Sequence, residues 1–231
     1  MNQDWNQQTV VAEYAKAGKD QNKNWYENAV NIPSIMRLLP NKRVSVLDFG
    51  CGPGDFTSQL AEKFETVGAD SSEGMLAIAR QQNPDINFIQ WNGDSSYPEP
   101  NRTFDAIVTK LTLEFIENLP RLVKRFRSLV DGDGLMVVSV QHPLLAIFSH
   151  PDDDIPYWEM RKFEVQIGTT NNSVTKIHRS LQQYVEPFLQ HGFSLTKIDE
   201  PEISKLLAEK FPVRPIDFKV PKRLNLQFSA V

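Results

Sequence analysis

The sequence contains few of the residues that build bridged or metal-bound scaffolds. Its 231 residues include one cysteine, Cys51, so no disulfide can form within the chain. Its four histidines are scattered, and with a single thiol they form no zinc-type cluster. No apolar run approaches the ~18 residues that span a bilayer, and the polar start lacks the basic and apolar segments of a signal peptide. We therefore expect a cytoplasmic protein with no membrane segment.

An excess of basic residues is also missing. The chain has 25 Lys and Arg against 29 Asp and Glu, a formal net charge of −4. Duplex nucleic acid is usually held by a large basic surface, so this balance argues against a DNA partner and weighs against RNA. The C-terminal part is locally basic, and we interpret it as a solvated edge rather than an anion-binding patch. Its basic residues are Lys205, Lys210, Arg214, Lys219, Lys222 and Arg223.

Short β-rich segments alternate with helical segments through the middle of the chain. This alternation predicts an α/β fold with a parallel sheet and helices on both of its faces. Two later segments are predicted to complete a seven-stranded sheet. The seven predicted strands are residues 43–49, 65–69, 86–90, 104–109, 134–140, 193–198 and 223–231.

One domain accounts for the whole length, which is ample for a sizeable core. The N-terminal segment carries two predicted helices, at 5–17 and 24–39. A later insertion contains a predicted hairpin around 168–172, and a helix at 180–191 precedes the closing strands. The predicted segments are 1–40, 41–141, 142–179 and 180–231.

Three glycines follow the first predicted strand. Residues 46–57 have the pattern strand, glycine loop and helix start, with Gly50, Gly52 and Gly54 in the loop. Glycine lets the backbone approach a ligand closely, and open α/β sheets bind ligands beyond the carboxyl ends of their strands. The loop predicts a nucleotide-type cofactor at this edge, although an ordinary tight turn would also contain such glycines.

Carboxylates stand at the ends of three successive strands. Asp48 precedes the glycine loop, Asp70 ends the second strand, and Asp94 follows the third. A carboxylate in the position of Asp70 can accept two hydrogen bonds from ribose hydroxyls, and Asp94 stands where an adenine ring would end. Together the three carboxylates are more specific than the glycines alone.

Asp48 also separates two kinds of cofactor. The loop lacks the last glycine of Gly-x-Gly-x-x-Gly, since Asp55 stands in its place, and no Gly-Lys-Ser/Thr follows. A carboxylate beside a pyrophosphate would be repelled, whereas one beside an α-amino group would be attracted. We therefore expect a cationic nucleoside that carries an amino acid, with a nicotinamide dinucleotide as the weaker alternative.

These motifs resemble those of class I S-adenosylmethionine-dependent methyltransferases. The resemblance covers about residues 40–141, and a looser similarity to a type 11-like branch of small-molecule enzymes extends over most of the chain. It implies a Rossmann-like, mostly parallel sheet with an antiparallel last strand, and N-terminal helices that form a lid. The cofactor would be S-adenosyl-L-methionine and its product S-adenosyl-L-homocysteine. The motifs are residues 48–54, 70, 92–94 and 104–108, and for the branch 111–116, 139–143 and 178–180.

Carried over by position, the resemblance assigns residues to each part of the cofactor. The glycine loop and Asp48 would line its methionine moiety, bordered by Lys110. Asp70 would hold the ribose, Met75 would pack on the adenine, and Asp94 would accept from the adenine amino group. The cofactor-binding residues so implied are Asp48, Gly50, Cys51, Gly52, Gly54, Asp70, Ser71, Met75, Asp94, Ser95 and Lys110.

The acceptor side is predicted from residues after the fourth and fifth strands and from aromatic side chains. Methyl transfer from a sulfonium needs mainly alignment, with a base only where the acceptor is protonated. His142 is the candidate base, or else it orients a loop; Glu114 could bind an amine, or serve a helix dipole. The candidate substrate-binding residues, each of which could instead serve packing, are Tyr14, Tyr26, Trp158 and His178.

The expected function is methyl transfer to an oxygen or nitrogen of a small-molecule metabolite. An RNA-modifying methyltransferase is an alternative, opposed by the net charge and by the sequence after the fourth strand, which lacks Asn/Asp-Pro-Pro-Tyr/Phe. A non-catalytic cofactor-binding protein is the other alternative. The three carboxylates at 152–154 are interpreted as a solvated turn, so no metal is expected.

Overall fold

A seven-stranded sheet forms the centre of the molecule. The computed structural model describes residues 5, 7–18, 24–94, 100–149, 156–166 and 173–231. The strand order is β3-β2-β1-β4-β5-β9-β8, in which β9 runs antiparallel to both of its neighbours. This confirms the predicted fold class. The strands of the sheet are β1 (Ser45–Phe49), β2 (Glu65–Asp70), β3 (Asn87–Gln90), β4 (Phe104–Lys110), β5 (Val130–Gln141), β8 (Phe193–Asp199) and β9 (Arg223–Ala230).

Helices cover both faces of the sheet, and a separate hairpin lies outside it. The hairpin consists of β6 (Arg161–Gln166) and β7 (Ser173–His178), which pair only with each other among the described strands. The α-helices are α1 (Gln8–Gly18), α2 (Ile32–Leu38), α3 (Asp55–Ala61), α4 (Glu73–Gln82), α5 (Leu119–Leu129), α6 (Pro143–Ser149), α7 (Leu181–Gln190) and α8 (Lys205–Lys210). A π-helix, Glu27–Asn31, leads directly into α2.

The alternation of side chains along β1 divides the core into two layers. Val46 packs on the face covered by α2 and α3, whereas Leu47 and Phe49 point to the opposite face, as the period of two in a strand requires. On that opposite face α5 presents five buried apolar residues at helical spacing. They are Leu119, Leu122, Val123, Phe126 and Leu129.

Strand β5 is longer than the sequence indicates. Residues 131–133 have turn composition but lie inside the strand as a bulge. Between the pairs Phe104–Val130 and Ala106–Leu135, β4 advances by two residues and β5 by five. Gly134 closes the bulge, since a Cβ there would lie 2.8 Å from the Asp105 carbonyl oxygen.

Two helices lie where no helix is predicted. Helix α6 occupies residues predicted as irregular because of their prolines, but Pro143 stands at its first position, where a missing N–H costs nothing. Helix α8 has only six residues and none of them is buried. It therefore lacks the buried apolar face from which a helix is predicted. Among the described residues, no helix combines the length and apolar character needed to cross a bilayer.

The register of the sheet positions the site. Asp48 pairs with Gly68 of β2 and Val108 of β4, so the carboxyl ends of these three strands meet at one edge. The glycine loop begins at this edge, after β1, and Asp70 and Lys110 are the last residues of β2 and β4. The sheet therefore brings residues that are distant in sequence to one place.

Phe126 is the α5 side chain on which the core of this face depends. It is fully buried and packs edge-to-face on Phe49, with ring centroids 5.0 Å apart. We expect Phe126→Ala to lower the free energy of unfolding by about 3–5 kcal/mol in urea denaturation. The exposed neighbour Lys124→Ala should change it by less than about 0.5 kcal/mol. A Phe126 variant as stable as the Lys124 variant would contradict this packing.

Candidate active site

The carboxylate of Asp70 connects the glycine loop to the end of β2. Its two oxygens accept hydrogen bonds from the N–H groups of Gly52 and Ser72, each at 2.9 Å. Burial raises the pKa of Asp70, and these N–H groups act in the opposite direction by stabilising the charge. Each carboxylate oxygen has a further lone pair, so Asp70 can still accept from a ligand hydroxyl.

The loop depends on glycine for two reasons. Gly50, Gly52 and Gly54 all have positive φ, at 77°, 55° and 87°. A Cβ on Gly50 would lie 2.2 Å from Thr112 Oγ1, so the loop packs tightly against the end of β4. A Cβ on Gly52 would meet only Tyr14, at 3.9 Å, which leaves room for a ligand above that residue.

Asp48 lies beneath the loop and is almost completely buried. One of its oxygens accepts a hydrogen bond from the Thr57 hydroxyl at 2.7 Å. Burial raises the pKa of Asp48 to about 6, against the opposing effects of the Thr57 hydrogen bond and the Lys110 charge. The site therefore contains a carboxylate whose charge is costly until a cation neutralises it.

Two cavities open beside these groups. The first has a volume of about 300 Å³ and extends from Asp70 and Met75 to the hairpin β6–β7. The second has a volume of about 230 Å³ and extends over Asp48 toward α3 and the π-helix. Both are lined by the same five residues at their junction: Tyr14, Gly50, Gly52, Lys110 and Leu111.

The end of β4 forms this junction. Lys110 places its ammonium 5.7 Å from the centre of the Phe56 ring. Leu111 has φ 56°, which is uncommon for a residue with a side chain, and its N–H donates to the Ser139 carbonyl at 2.7 Å. Such backbone strain is concentrated at functional sites. The chain therefore turns sharply where the two cavities meet.

An ion pair in the second cavity was missed by sequence reasoning. Glu27 of the π-helix accepts from Arg223 Nε of β9 at 2.8 Å, and both residues line the cavity. Burial alone would raise the pKa of Glu27, but Arg223 and Lys110 hold it below its usual value. In the sequence, Arg223 is only a basic residue at the start of a strand, a pattern typical of a solvated edge.

Most of the predicted cofactor-binding residues line one of the two cavities. Among the described ones, Gly54, Ser71 and Asp94 do not. Cys51 lines the second cavity, and Gly54 begins α3 as its N-cap. Ser71 is buried, with its carbonyl accepting from Gln90. Asp94 donates its N–H to Asn92 Oδ1 at 3.0 Å. Ser95 lies outside the described residues.

Neither of the two candidate catalytic residues lines the two cavities. His142 is buried, with Nε2 2.8 Å from Glu200 and Nδ1 accepting from the Leu144 N–H. Nδ1 therefore holds the start of α6 and Nε2 contacts the segment after β8, which favours the loop-orienting alternative. Glu114 is buried behind Gln141, whose N–H it accepts at 2.8 Å.

Only one of the four predicted substrate residues lines either cavity in the described structure. Tyr14 stands at the junction. Tyr26 packs on Trp25 and donates its hydroxyl to the Pro201 carbonyl at 3.0 Å. Trp158 is 73% exposed. His178 is buried at the end of β7, where Nε2 lies 3.0 Å from the Tyr157 carbonyl and burial lowers its pKa.

The hairpin contributes residues that the sequence analysis did not assign. Val165 and Val174 pair across β6 and β7, and Lys176 is two residues beyond Val174 on the same strand. All three line the first cavity, opposite Phe115. The described residues hold no group of three His, Cys, Asp or Glu side chains placed for a metal, and residues 152–154 lie outside that part of the chain.

The comparisons with known proteins agree with this geometry. A family model described as a methyltransferase domain matches residues 24–197. The chain therefore belongs to the methyltransferase-domain family. The predicted class, a class I S-adenosylmethionine-dependent methyltransferase, is confirmed.

Two relatives are named for different methyl-transfer activities. A trans-aconitate 2-methyltransferase of Deinococcus radiodurans is 31% identical over 62% of this chain and 55% of its own. A dTDP-3-amino-3,6-dideoxy-alpha-D-glucopyranose N,N-dimethyltransferase of Streptomyces fradiae is 33% identical over 50% of this chain and 47% of its own. The chain thus spans about half the length of these relatives.

Solved structures share the fold. An S-adenosylmethionine-dependent methyltransferase from Mesorhizobium loti superposes with a TM-score of 0.68 at 23% identity, covering 85% of this chain and 96% of that one. The agreement includes most of both chains. The two chains therefore share one fold over most of their length.

The raised pKa of Asp48 predicts a pH-dependent effect of its replacement. Because the folded protein binds this proton more tightly than the unfolded chain, the contribution of Asp48 to stability falls as pH rises from about 4 to about 6. We expect Asp48→Asn to raise the free energy of unfolding by roughly 1–3 kcal/mol at pH 8 and to have little effect near pH 4.

Urea denaturation of the ligand-free protein at the two pH values checks this. The exposed Asp85→Asn is the matched control and should show no such difference. An Asp48 variant that is destabilised equally at pH 4 and pH 8 would contradict the burial argument.

Proposed function

We propose that this protein transfers a methyl group from S-adenosylmethionine to an oxygen or nitrogen of a small molecule. The observation that carries the proposal is the junction of two cavities at Lys110 and Leu111, directly beside the glycine loop. One cavity suits the amino acid of the donor, and the other suits its adenosyl group together with an acceptor. The junction is where donor and acceptor would meet.

The residues at the first cavity fit the adenosyl part of the cofactor. Asp70 retains acceptor capacity for ribose hydroxyls, and Met75 gives the cavity an apolar wall for a purine. The open space above Gly52 accommodates a ligand backbone. That Asp94 and Ser95 bind the adenine remains a prediction.

The second cavity fits an amino acid because it contains both signs of charge. Asp48 would attract an ammonium group, which would also offset the cost of its own burial. Arg223 would bind a carboxylate, and its guanidinium is already oriented by Glu27. When bound, S-adenosylmethionine supplies a methyl group on a positively charged sulfur. Asp48 and Arg223 would orient that ligand by its amino-acid end.

The rest of the first cavity is large enough and apolar enough for a small acceptor. Phe115, Val165 and Val174 form its walls, and Tyr14 covers the junction. Such walls exclude water and restrict the acceptor to a few orientations, which is much of what methyl transfer requires. The relatives that act on trans-aconitate and on an amino sugar nucleotide support acceptors of this size.

Donor binding tests the proposal directly. Calorimetry should show that S-adenosylhomocysteine binds the protein, and that Asp70→Asn weakens binding at least tenfold because a charged acceptor of the ribose hydroxyls is lost. Asp85→Asn, an exposed carboxylate beyond α4, should bind like the parent. Absence of binding by the parent, or equal binding by the Asp70 variant, would contradict the proposal.

The position of Arg223 in the second cavity predicts that the protein prefers a donor with a carboxylate over one without it. The parent should bind S-adenosylhomocysteine at least tenfold more tightly than its decarboxylated analogue, and the double variant Glu27→Gln with Arg223→Met should lose this preference. The double variant removes both members of the ion pair, so neither of them is left buried without its partner. Exposed Lys219→Met is the control for an unspecific charge effect. A preference that persists in the double variant would assign the carboxylate to another residue.

A further inference from the structure

Lys176 is a cation on the acceptor side of the first cavity. It projects from β7, so it faces the sheet edge from the hairpin. Its ammonium donates to Gln141 Oε1 at 3.1 Å and lies 5.6 Å from the centre of the Phe115 ring. Both contacts fix the direction of the side chain, and neither of them is an ion pair.

The charged groups that act on Lys176 are Glu114, Arg223 and Glu27. No carboxylate among the described residues lies within 4.0 Å of its nitrogen. Glu114 is the acidic group that acts on it most strongly, but Glu114 is tied to the Gln141 N–H and does not line the first cavity. Burial lowers the pKa of Lys176, as expected for an ammonium partly removed from water.

The other charged residues of the described lining, Asp70 and Lys110, lie on the side where the donor would bind. Asp70 is bound by two N–H groups and serves the adenosyl side. Lys110 also lines the second cavity, where its positive charge acts to lower the pKa values of Asp48 and Glu27. Of the two lysines in the described lining, Lys176 is the one on the hairpin, and it does not line the second cavity.

We propose that the acceptor carries a carboxylate and that Lys176 binds it. This inference rests on the proposed function and names the class of acceptor for the same site. An ammonium-bearing acceptor would be repelled by Lys176, whereas a carboxylate would gain an ion pair strengthened by the apolar walls around it.

The described lining holds Tyr14, Asp70 and two lysines as groups that could accept a proton, and an anionic acceptor would need none of them as a base. That lining holds no histidine or glutamate, and His142 uses both ring nitrogens elsewhere. Transfer to a carboxylate oxygen forms one O–C bond from an oxygen lone pair and breaks the S–C bond, whose electron pair stays on sulfur. No proton has to be removed, so no base is needed.

Binding of matched probes to the protein saturated with S-adenosylhomocysteine tests this assignment. One series is phenylacetate, phenylacetamide and phenethylamine; the other is glutarate, glutaramide and 1,5-diaminopentane. Ligand-observed NMR should show at least tenfold tighter binding of the carboxylate in one or both series. Lys176→Met should abolish that preference, and Lys176→Arg should restore most of it because the charge is retained.

Lys162→Met is the control, since Lys162 lies on the same hairpin but is exposed and paired with Glu117 at 2.5 Å. It should leave the preference unchanged. The inference is overturned by equal binding of acid and amide, by preference for the amine, by no carboxylate binding in either series, or by a preference that survives Lys176→Met. Because S-adenosylhomocysteine binding is measured first on each variant, failure of the donor site is distinguished from failure of the acceptor assignment.

Discussion

The hydrogen bonds from Gly52 and Ser72 to the carboxylate of Asp70 are the constraint on which the rest of the site depends. They join the loop after β1 to the end of β2, and so fix where the glycines open toward the cavities. The cost is a buried negative charge, which raises the pKa of Asp70. The same is true of Asp48. The structure thus holds two carboxylates whose burial is unfavourable in isolation, and a cationic ligand with ribose hydroxyls would offset that cost.

The sheet and the donor side of the site could be predicted because their signals are local. Each strand, the glycine loop and the carboxylates at the strand ends occupy a short stretch of sequence, and parallel strands bring such ends to one edge. The bulge in β5 escaped prediction since residues 131–133 have the composition of a turn. Its position is decided by pairing with β4, which no local pattern reveals.

Residues that act through distant contacts could not be predicted. Glu27 and Arg223 are 196 positions apart, and only the folded sheet brings β9 against the π-helix. Lys176 reaches the cavity because the hairpin lies over the sheet edge, which is a tertiary arrangement. His142 illustrates the same limit: its position after β5 predicts a base or a loop-orienting residue, and its contacts with Glu200 and the Leu144 N–H favour the second role. Position along a strand indicates proximity to a site, whereas hydrogen-bond partners decide the role.

A crystal structure of the protein with S-adenosylhomocysteine would show directly which part of the ligand lies in which cavity. We expect the ribose hydroxyls to lie within hydrogen-bond distance of Asp70. The amino-acid end should lie in the second cavity beside Asp48 and Arg223, with the sulfur at the junction formed by Lys110 and Leu111. The space beyond the sulfur should open toward Phe115 and the hairpin. A ligand whose amino acid lies in the first cavity, or whose sulfur faces away from the hairpin, would contradict this arrangement.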